Sequence, residues 1–220
     1  MTRIDYRLNA LVDAALTDVG DLAELAALAA RNGATLIQYR DKTASTRQMI
    51  GRAAAIRAAL AATGVPLVIN DRVDVALAAE ADGVHLGADD MDADTARRLL
   101  GENAIIGMTV KNVADVERVG RARADYACIG GVFETLSKNN PDPPVGIEGF
   151  AALRGRLRAL KPGLPVGAIA GITLADVPAL IAAGADGVAV ISAIFRAPDI
   201  AGAAQAFRAA VDRALEGRQG

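Results

Sequence analysis

At 220 residues the chain is long enough for one substantial core and sits near the lower limit for an eight-stranded α/β barrel. An apolar content of 52% with only 3% aromatic argues against disorder and against a disulfide scaffold, and requires a core of Ala, Val, Leu and Ile. A formal charge of -2 supplies no global field to draw in nucleic acid, so an anion must be met by a local cluster and the expected ligand is small.

The amino terminus, Met1-Thr2-Arg3-Ile4-Asp5-Tyr6, carries an early acid and lacks the apolar core of a signal peptide. Charges interrupt every window of the roughly 18 apolar residues that a bilayer span requires. One cytoplasmic domain covering residues 1–220 is the expectation. Short apolar runs then alternate with longer Ala-rich amphipathic stretches, a rhythm that predicts repeated βα units. Strands are expected at 8–12, 35–39, 66–69, 83–86, 105–108, 126–129, 166–169 and 187–191. Helical patterns cover 21–31, 46–62, 92–100, 113–121 and 200–216, several opening on a capping residue such as Asp21, Ser45 or Asp92. Such a count reads as an α/β chain closed into a single (β/α)8 TIM barrel. The phrases Ala81-Asp82-Gly83-Val84 and Ala185-Asp186-Gly187-Val188, with the weaker Asn32-Gly33-Ala34-Thr35 and Ala124-Asp125-Tyr126-Ala127, precede strands and suit tight helix-to-strand turns on the face opposite the active site.

At the end of the second strand, Gln38-Tyr39-Arg40-Asp41-Lys42 alternates so that Gln38, Arg40 and Lys42 share the inward face while Tyr39 and Asp41 face outward. An inward Arg and Lys are costly to desolvate unless an anion or a carboxylate pairs with them, and a salt bridge to Asp71 or Asp90 would also satisfy them. Asp71 follows the third strand and Asp90 the fourth, so in neighbouring parallel strands both emerge at one end of the sheet, where two oxygen ligands can share a hard cation such as Mg2+. An acid after a strand also serves as a helix cap, and for Asp71 both readings stand; Asp89 and Asp92 read as surface or capping residues. His85, inside an apolar strand phrase, reads as a satisfied core histidine rather than a general base. Cys128 in Tyr126-Ala127-Cys128-Ile129 reads as a buried thiol in a reducing compartment.

The connection 130–146 is far longer than the two to six residues usual for a βα loop, which marks a lid or ligand loop. Thr135, Ser137 and Lys138 place two hydroxyls and an ammonium in it as phosphate donors. The last two strands end in Ala168-Ile169-Ala170-Gly171-Ile172-Thr173 and Val190-Ile191-Ser192-Ala193, the turns that often form a monophosphate cradle from backbone N–H groups.

Read together, Gln38-Tyr39-Arg40-Asp41-Lys42, Asn70-Asp71-Arg72, Ala81-Asp82-Gly83-Val84-His85-Leu86-Gly87, Asp90, Thr135-Leu136-Ser137-Lys138 and Gly171-Ile172 resemble the thiamine-phosphate synthase family, from about Leu8 to about Phe207. The resemblance implies an eight-stranded βα barrel that joins an aminopyrimidine methyl diphosphate to a thiazole phosphate, plain or carboxylated, and releases diphosphate. It implies that Gln38, Arg40, Lys42 and Asn70 hold the pyrimidine diphosphate, that Asp71 and Asp90 hold Mg2+, and that Thr109 takes the family's serine position facing the same substrate. Thr135 and Ser137 would bind the thiazole phosphate with Gly171, Ile191 and Ser192, and Lys138 would reach the diphosphate; Arg40, Lys42 and Lys138 would stabilise the leaving group. Ala88 stands where the family often has glutamine, and Ala170 replaces the first glycine of a Gly-Gly pair. The expected partners are small phosphorylated molecules, without nucleic acid or membrane, and a homo-oligomer is compatible with the sequence. A thiazole tautomerase-like barrel resembles this one but relies on a histidine after the fifth strand, where this chain has Thr109-Val110-Lys111. A non-catalytic barrel that binds thiamine precursors is the remaining alternative, with Thr109, Ala88 and Ala170 as its signs.

Overall fold

A parallel strand cannot turn directly into its neighbour, so each apolar run here is followed by a crossover long enough to return the chain to the same end. The computed structural model describes residues 4–16, 18–135 and 143–219. Among them eight strands form: β1 (Leu8–Asp13), β2 (Leu36–Arg40), β3 (Leu67–Asn70), β4 (Gly83–Leu86), β5 (Ile105–Val110), β6 (Tyr126–Ile129), β7 (Val166–Ile169) and β8 (Gly187–Val190). They pair in parallel in chain order, and β8 returns to β1 to close the barrel.

The expected helices form as α1 (Leu22–Arg31), α2 (Thr46–Leu60), α4 (Ala93–Leu100), α5 (Val113–Arg121) and α9 (Ile200–Gln219). Asp21, Ser45 and Asp92 cap the first three of these by accepting first-turn N–H groups. The alternation is completed by α3 (Val73–Ala78), α6 (Gly146–Leu160), α7 (Val177–Ala182) and the one-turn α8 (Ser192–Phe195). Boundaries shift from the sequence reading at several strands, β1 and β2 among them. β1 continues through Asp13 and β2 through Arg40, because those residues pair in register, and that pairing carries both side chains to the mouth.

The four strand-entry phrases share one device at the amino-terminal face. Asp82 accepts the N–H of Leu67 at 2.8 Å, Asp125 that of Ile106 at 2.8 Å and Asp186 that of Val166 at 2.9 Å. In the fourth, the Thr35 hydroxyl accepts the N–H of Leu8 at 3.0 Å. Each phrase thus satisfies a donor in the first two residues of the strand beside it and fixes the register between the two. Arg97, fully buried, reinforces this face by donating to Asp125 at 2.6 Å and to the Glu102 and Arg123 carbonyls at 3.1 Å.

One layer of core lies between strands and helices, and a second fills the barrel itself with Tyr6, Leu11, Leu36, Val68, Tyr126, Cys128 and Ala189. Two aromatic rings fit inside a barrel this narrow because glycine faces them. A Cβ on Gly167 would stand 1.8 Å from the Tyr6 ring and one on Gly107 would stand 2.0 Å from the Tyr126 ring, while the two rings meet with centroids 4.8 Å apart. Gly167→Ala is therefore expected to lower stability by about 1–3 kcal/mol through overpacking, read as a lower urea midpoint at unchanged slope.

Candidate active site

Closing the barrel brings the carboxyl ends of all the strands to one mouth, and the inward side chains there come from alternate positions. On β2 the inward pair is Gln38 and Arg40. Tyr39 and Asp41 face the helices, where the Tyr39 hydroxyl donates to Asp41 at 2.9 Å and Arg52 of α2 donates to the same carboxylate at 2.6 Å. Arg40 is held by an ion pair with Asp13, its register partner at the end of β1, and Asp13 also accepts the N–H of Ala15 at 2.9 Å. The sequence reading missed Asp13. It lies one residue past the expected strand end, and only the alternation Asn9, Leu11, Asp13 points to it.

Lys42 departs from the expectation that it points inward beside Arg40. β2 ends at Arg40, so Lys42 lies on the rim, exposed, and its ammonium donates to Asp71. The salt bridge read as one alternative for the basic pair therefore forms at Lys42, whereas Arg40 finds Asp13 instead.

Asp71 does not cap the following helix, whose first cap position is Arg72 without a side-chain bond. Instead it occupies the left-handed region at φ 65°, its N–H donating to the His85 carbonyl at 2.8 Å. That conformation costs a non-glycine residue about 1–3 kcal/mol and turns the carboxylate toward the neighbouring strand. There it meets Asp90, which accepts the Gly87 N–H at 2.6 Å; a Cβ on Gly87 would stand 3.0 Å from the Asp90 oxygen. The two carboxyl groups share a hydrogen bond. Burial raises the Asp90 carboxyl above the usual carboxylate range, and the hydrogen bond to Asp71 with its negative charge pushes the same way. At Asp71 burial also raises, but the hydrogen bonds from Lys42 and Asp90 outweigh it and hold that carboxyl below its ordinary value.

Two carboxylates this close relieve their repulsion by sharing a proton or a divalent cation. The hard oxygens suit Mg2+, and the space left by the missing Cβ of Gly87 lets Asp90 approach. Among the described residues no group of three or more His, Cys, Asp or Glu converges, so substrate oxygens and water would complete the shell, which is the habit of Mg2+.

The mouth holds two adjoining cavities. A small one of about 80 Å³ descends into the barrel and is lined by Gln38, Arg40, Asn70, His85, Thr109 and Lys111, with Cys128 also in its wall. A second, of about 640 Å³, lies over the ends of β7 and β8 and is lined by Thr135, Gly171, Ile191, Ser192 and Arg196, with Asp13 at its edge. Thr135, Ile169, Ala170 and Ile191 line both. Thus Gln38, Arg40, Asn70 and Thr109 gather in the first cavity, Gly171 and Ser192 in the second, and Thr135 and Ile191 between them. Ser137 and Lys138 lie outside the described residues.

Lys111, at the inward position two residues after Thr109, and Arg196 were not singled out from the sequence. Arg196 donates to the Ala15 carbonyl at 3.1 Å and to Asp18 at 3.1 Å, anchoring α8 beside β1. Over the cradle, Gly171 is required twice. Its φ is 65°, and a Cβ would stand 2.2 Å from the Glu134 carbonyl oxygen. Ala170 beside it carries a φ of 94°, a region that favours glycine.

The family described as thiamine monophosphate synthase matches residues 8–194. The thiamine-phosphate synthase of Agrobacterium fabrum is 71% identical over 219 residues, covering 100% of both chains. That of Chloroflexus aurantiacus is 42% identical over 208 residues and 94% of both. Among solved structures, the thiamine phosphate pyrophosphorylase of Pyrococcus furiosus superimposes with a TM-score of 0.84 at 32% identity, covering 98% of this chain and 100% of that one.

Relief of the strained alanine is directly measurable. Ala170→Gly is expected to raise stability by roughly 1 kcal/mol, the relieved strain exceeding the entropy that glycine adds to the unfolded chain, as a higher denaturant midpoint. No gain would mean that the backbone relaxes at no cost.

Proposed function

The chain belongs to the thiamine monophosphate synthase family, and from that membership we propose how its barrel mouth carries out the family's condensation. The reaction joins 4-amino-2-methyl-5-(diphosphooxymethyl)pyrimidine to a thiazole phosphate and gives thiamine phosphate and diphosphate. The observation that carries the assignment of roles is the contact between Asp90 and Asp71, the latter one residue past Asn70, which lines the inner cavity with Gln38 and Arg40.

Gln38 and Asn70 bind the pyrimidine diphosphate from the inner cavity, and Thr109 faces the same substrate. Arg40, oriented by Asp13, and Lys42, at the rim, hold the diphosphate as charge develops on it. Lys138 joins them by resemblance. Asp71 and Asp90 would hold Mg2+, which when bound supplies further neutralisation of the departing charge. Thr135, Gly171, Ile191 and Ser192 seat the thiazole phosphate over the ends of β7 and β8, and Ser137 joins them by resemblance. The methylene–oxygen bond breaks with its electron pair leaving on diphosphate, the aminopyrimidine bears the resulting cation, and the thiazole nitrogen donates its pair to form the new carbon–nitrogen bond.

We place the chain in the cytoplasm: no helix among the described residues is long and apolar enough to cross a membrane, and Cys128 is a buried thiol. Small phosphorylated molecules are its partners.

Incubation with both precursors is expected to yield thiamine phosphate only when Mg2+ is present. Asp71→Ala, checked for its fold by circular dichroism, is expected to lose on the order of 10²-fold or more in turnover, the scale of one transition-state charge contact. Near-normal rates for that variant at limiting Mg2+ would refute the metal role. Asp13→Asn is expected to lower kcat/KM by releasing Arg40, roughly tenfold, while Mg2+ dependence stays unchanged.

A further inference from the structure

The inner cavity rests on a polar row that the reaction as set out above does not use. His85 on β4, Gly107 on β5 and Tyr126 on β6 stand in one register row across three neighbouring strands. With a side chain at 107 the row would be broken: a Cβ there would stand 2.3 Å from the Tyr126 phenol oxygen. Because glycine is there, the phenol crosses β5 and meets His85 Nδ1 at 3.0 Å, with ring centroids 5.5 Å apart and planes inclined by 25°. On the far side of the imidazole, Nε2 lies 2.9 Å from the Thr109 hydroxyl oxygen.

The direction of these bonds follows from the phenol. Tyr126 is fully buried, and burial pushes its ionisation well above the ordinary range, so it keeps its hydrogen. A buried O–H without an acceptor is costly, and His85 Nδ1 is the acceptor it reaches. Nδ1 is then bare, the imidazole hydrogen sits on Nε2, and Nε2–H donates to the Thr109 oxygen. With one lone pair of that oxygen taken, the Thr109 hydrogen is turned toward the cavity that Gln38, Arg40 and Asn70 also line.

We infer that His85 is a positioning residue for substrate selection: held in the Nε2–H form by Tyr126, it makes the Thr109 hydroxyl a hydrogen-bond donor toward a ring nitrogen of the pyrimidine substrate. The inference rests on the pyrimidine diphosphate being the occupant of the inner cavity. An aminopyrimidine ring has nitrogen acceptors and no ring N–H, so a fixed donor accepts it and disfavours a ring that presents N–H at that place. The interaction is made in ground state and transition state alike, so its loss raises KM and leaves kcat largely in place.

The chain has a single histidine, so one imidazole accounts for the whole signal. In untagged protein labelled with 15N-histidine, long-range proton–nitrogen correlation at neutral pH is expected to show a hydrogen-bearing Nε2 and a bare Nδ1. A hydrogen on Nδ1 overturns the inference. Tyr126→Phe is expected to convert this pattern to a mixture of tautomers; an unchanged single form in that variant also overturns it. In kinetics, His85→Ala is expected to raise KM for the pyrimidine diphosphate roughly three- to tenfold, the worth of one hydrogen bond, and His85→Gln, whose amide N–H can replace Nε2–H, to recover part of the loss. In a Thr109→Val background His85→Ala is expected to add nothing; additive losses would contradict the positioning role. Failure of the wild-type chain to form thiamine phosphate would sink the functional reading while leaving the tautomer spectrum as it is.

Discussion

Two carboxyl groups pressed together at the rim set the terms for everything around them. Asp71 faces Asp90 from a left-handed backbone, and Asp90 is held by the N–H of Gly87, where a Cβ would crowd its oxygen at 3.0 Å. Both features cost stability or depend on a particular residue, and neither is needed to close a barrel. Structure that is held at a cost beside a cavity points to function. Lys42 supports the pair from the rim, and the backbone bond from Asp71 to the His85 carbonyl ties it to the strand that carries the inner cavity wall.

The opposite face of the barrel shows what the same residue type does when nothing is asked of it but architecture. Asp82, Asp125 and Asp186 each accept an N–H from the first two residues of a neighbouring strand, and two of them also pair with arginine. These carboxylates face donors alone, whereas Asp71 and Asp90, each with a donor of its own in Lys42 and the Gly87 N–H, also face each other. Arginine divides in the same way. Arg97 is consumed by carbonyls and Asp125, while Arg40 is anchored at Asp13 yet still lines the cavity.

Much of this was legible in the sequence because it depends on local periodicity. Eight apolar runs alternating with capped helical stretches specified the barrel, and strand alternation placed Gln38 and Arg40 inward with Tyr39 and Asp41 outward. What could not be read depends on distances across the closed ring. Asp13 meets Arg40 through pairing of β1 with β2, and Tyr126 meets His85 across a glycine on the strand between them. The inward position assigned to Lys42 failed because alternation stops where the strand stops, at Arg40. The strain at Ala170 is likewise a property of the turn and not of any local pattern.

The most direct test of the acid pair is binding of Mn2+, as a paramagnetic substitute for Mg2+, to the intact chain in the presence of diphosphate, followed by loss of the free-ion resonance. The expected result is stoichiometric uptake that requires diphosphate and disappears in the Asp71→Asn, Asp90→Asn double variant. Equal uptake by that variant and the unaltered chain would contradict the role given to the two carboxylates.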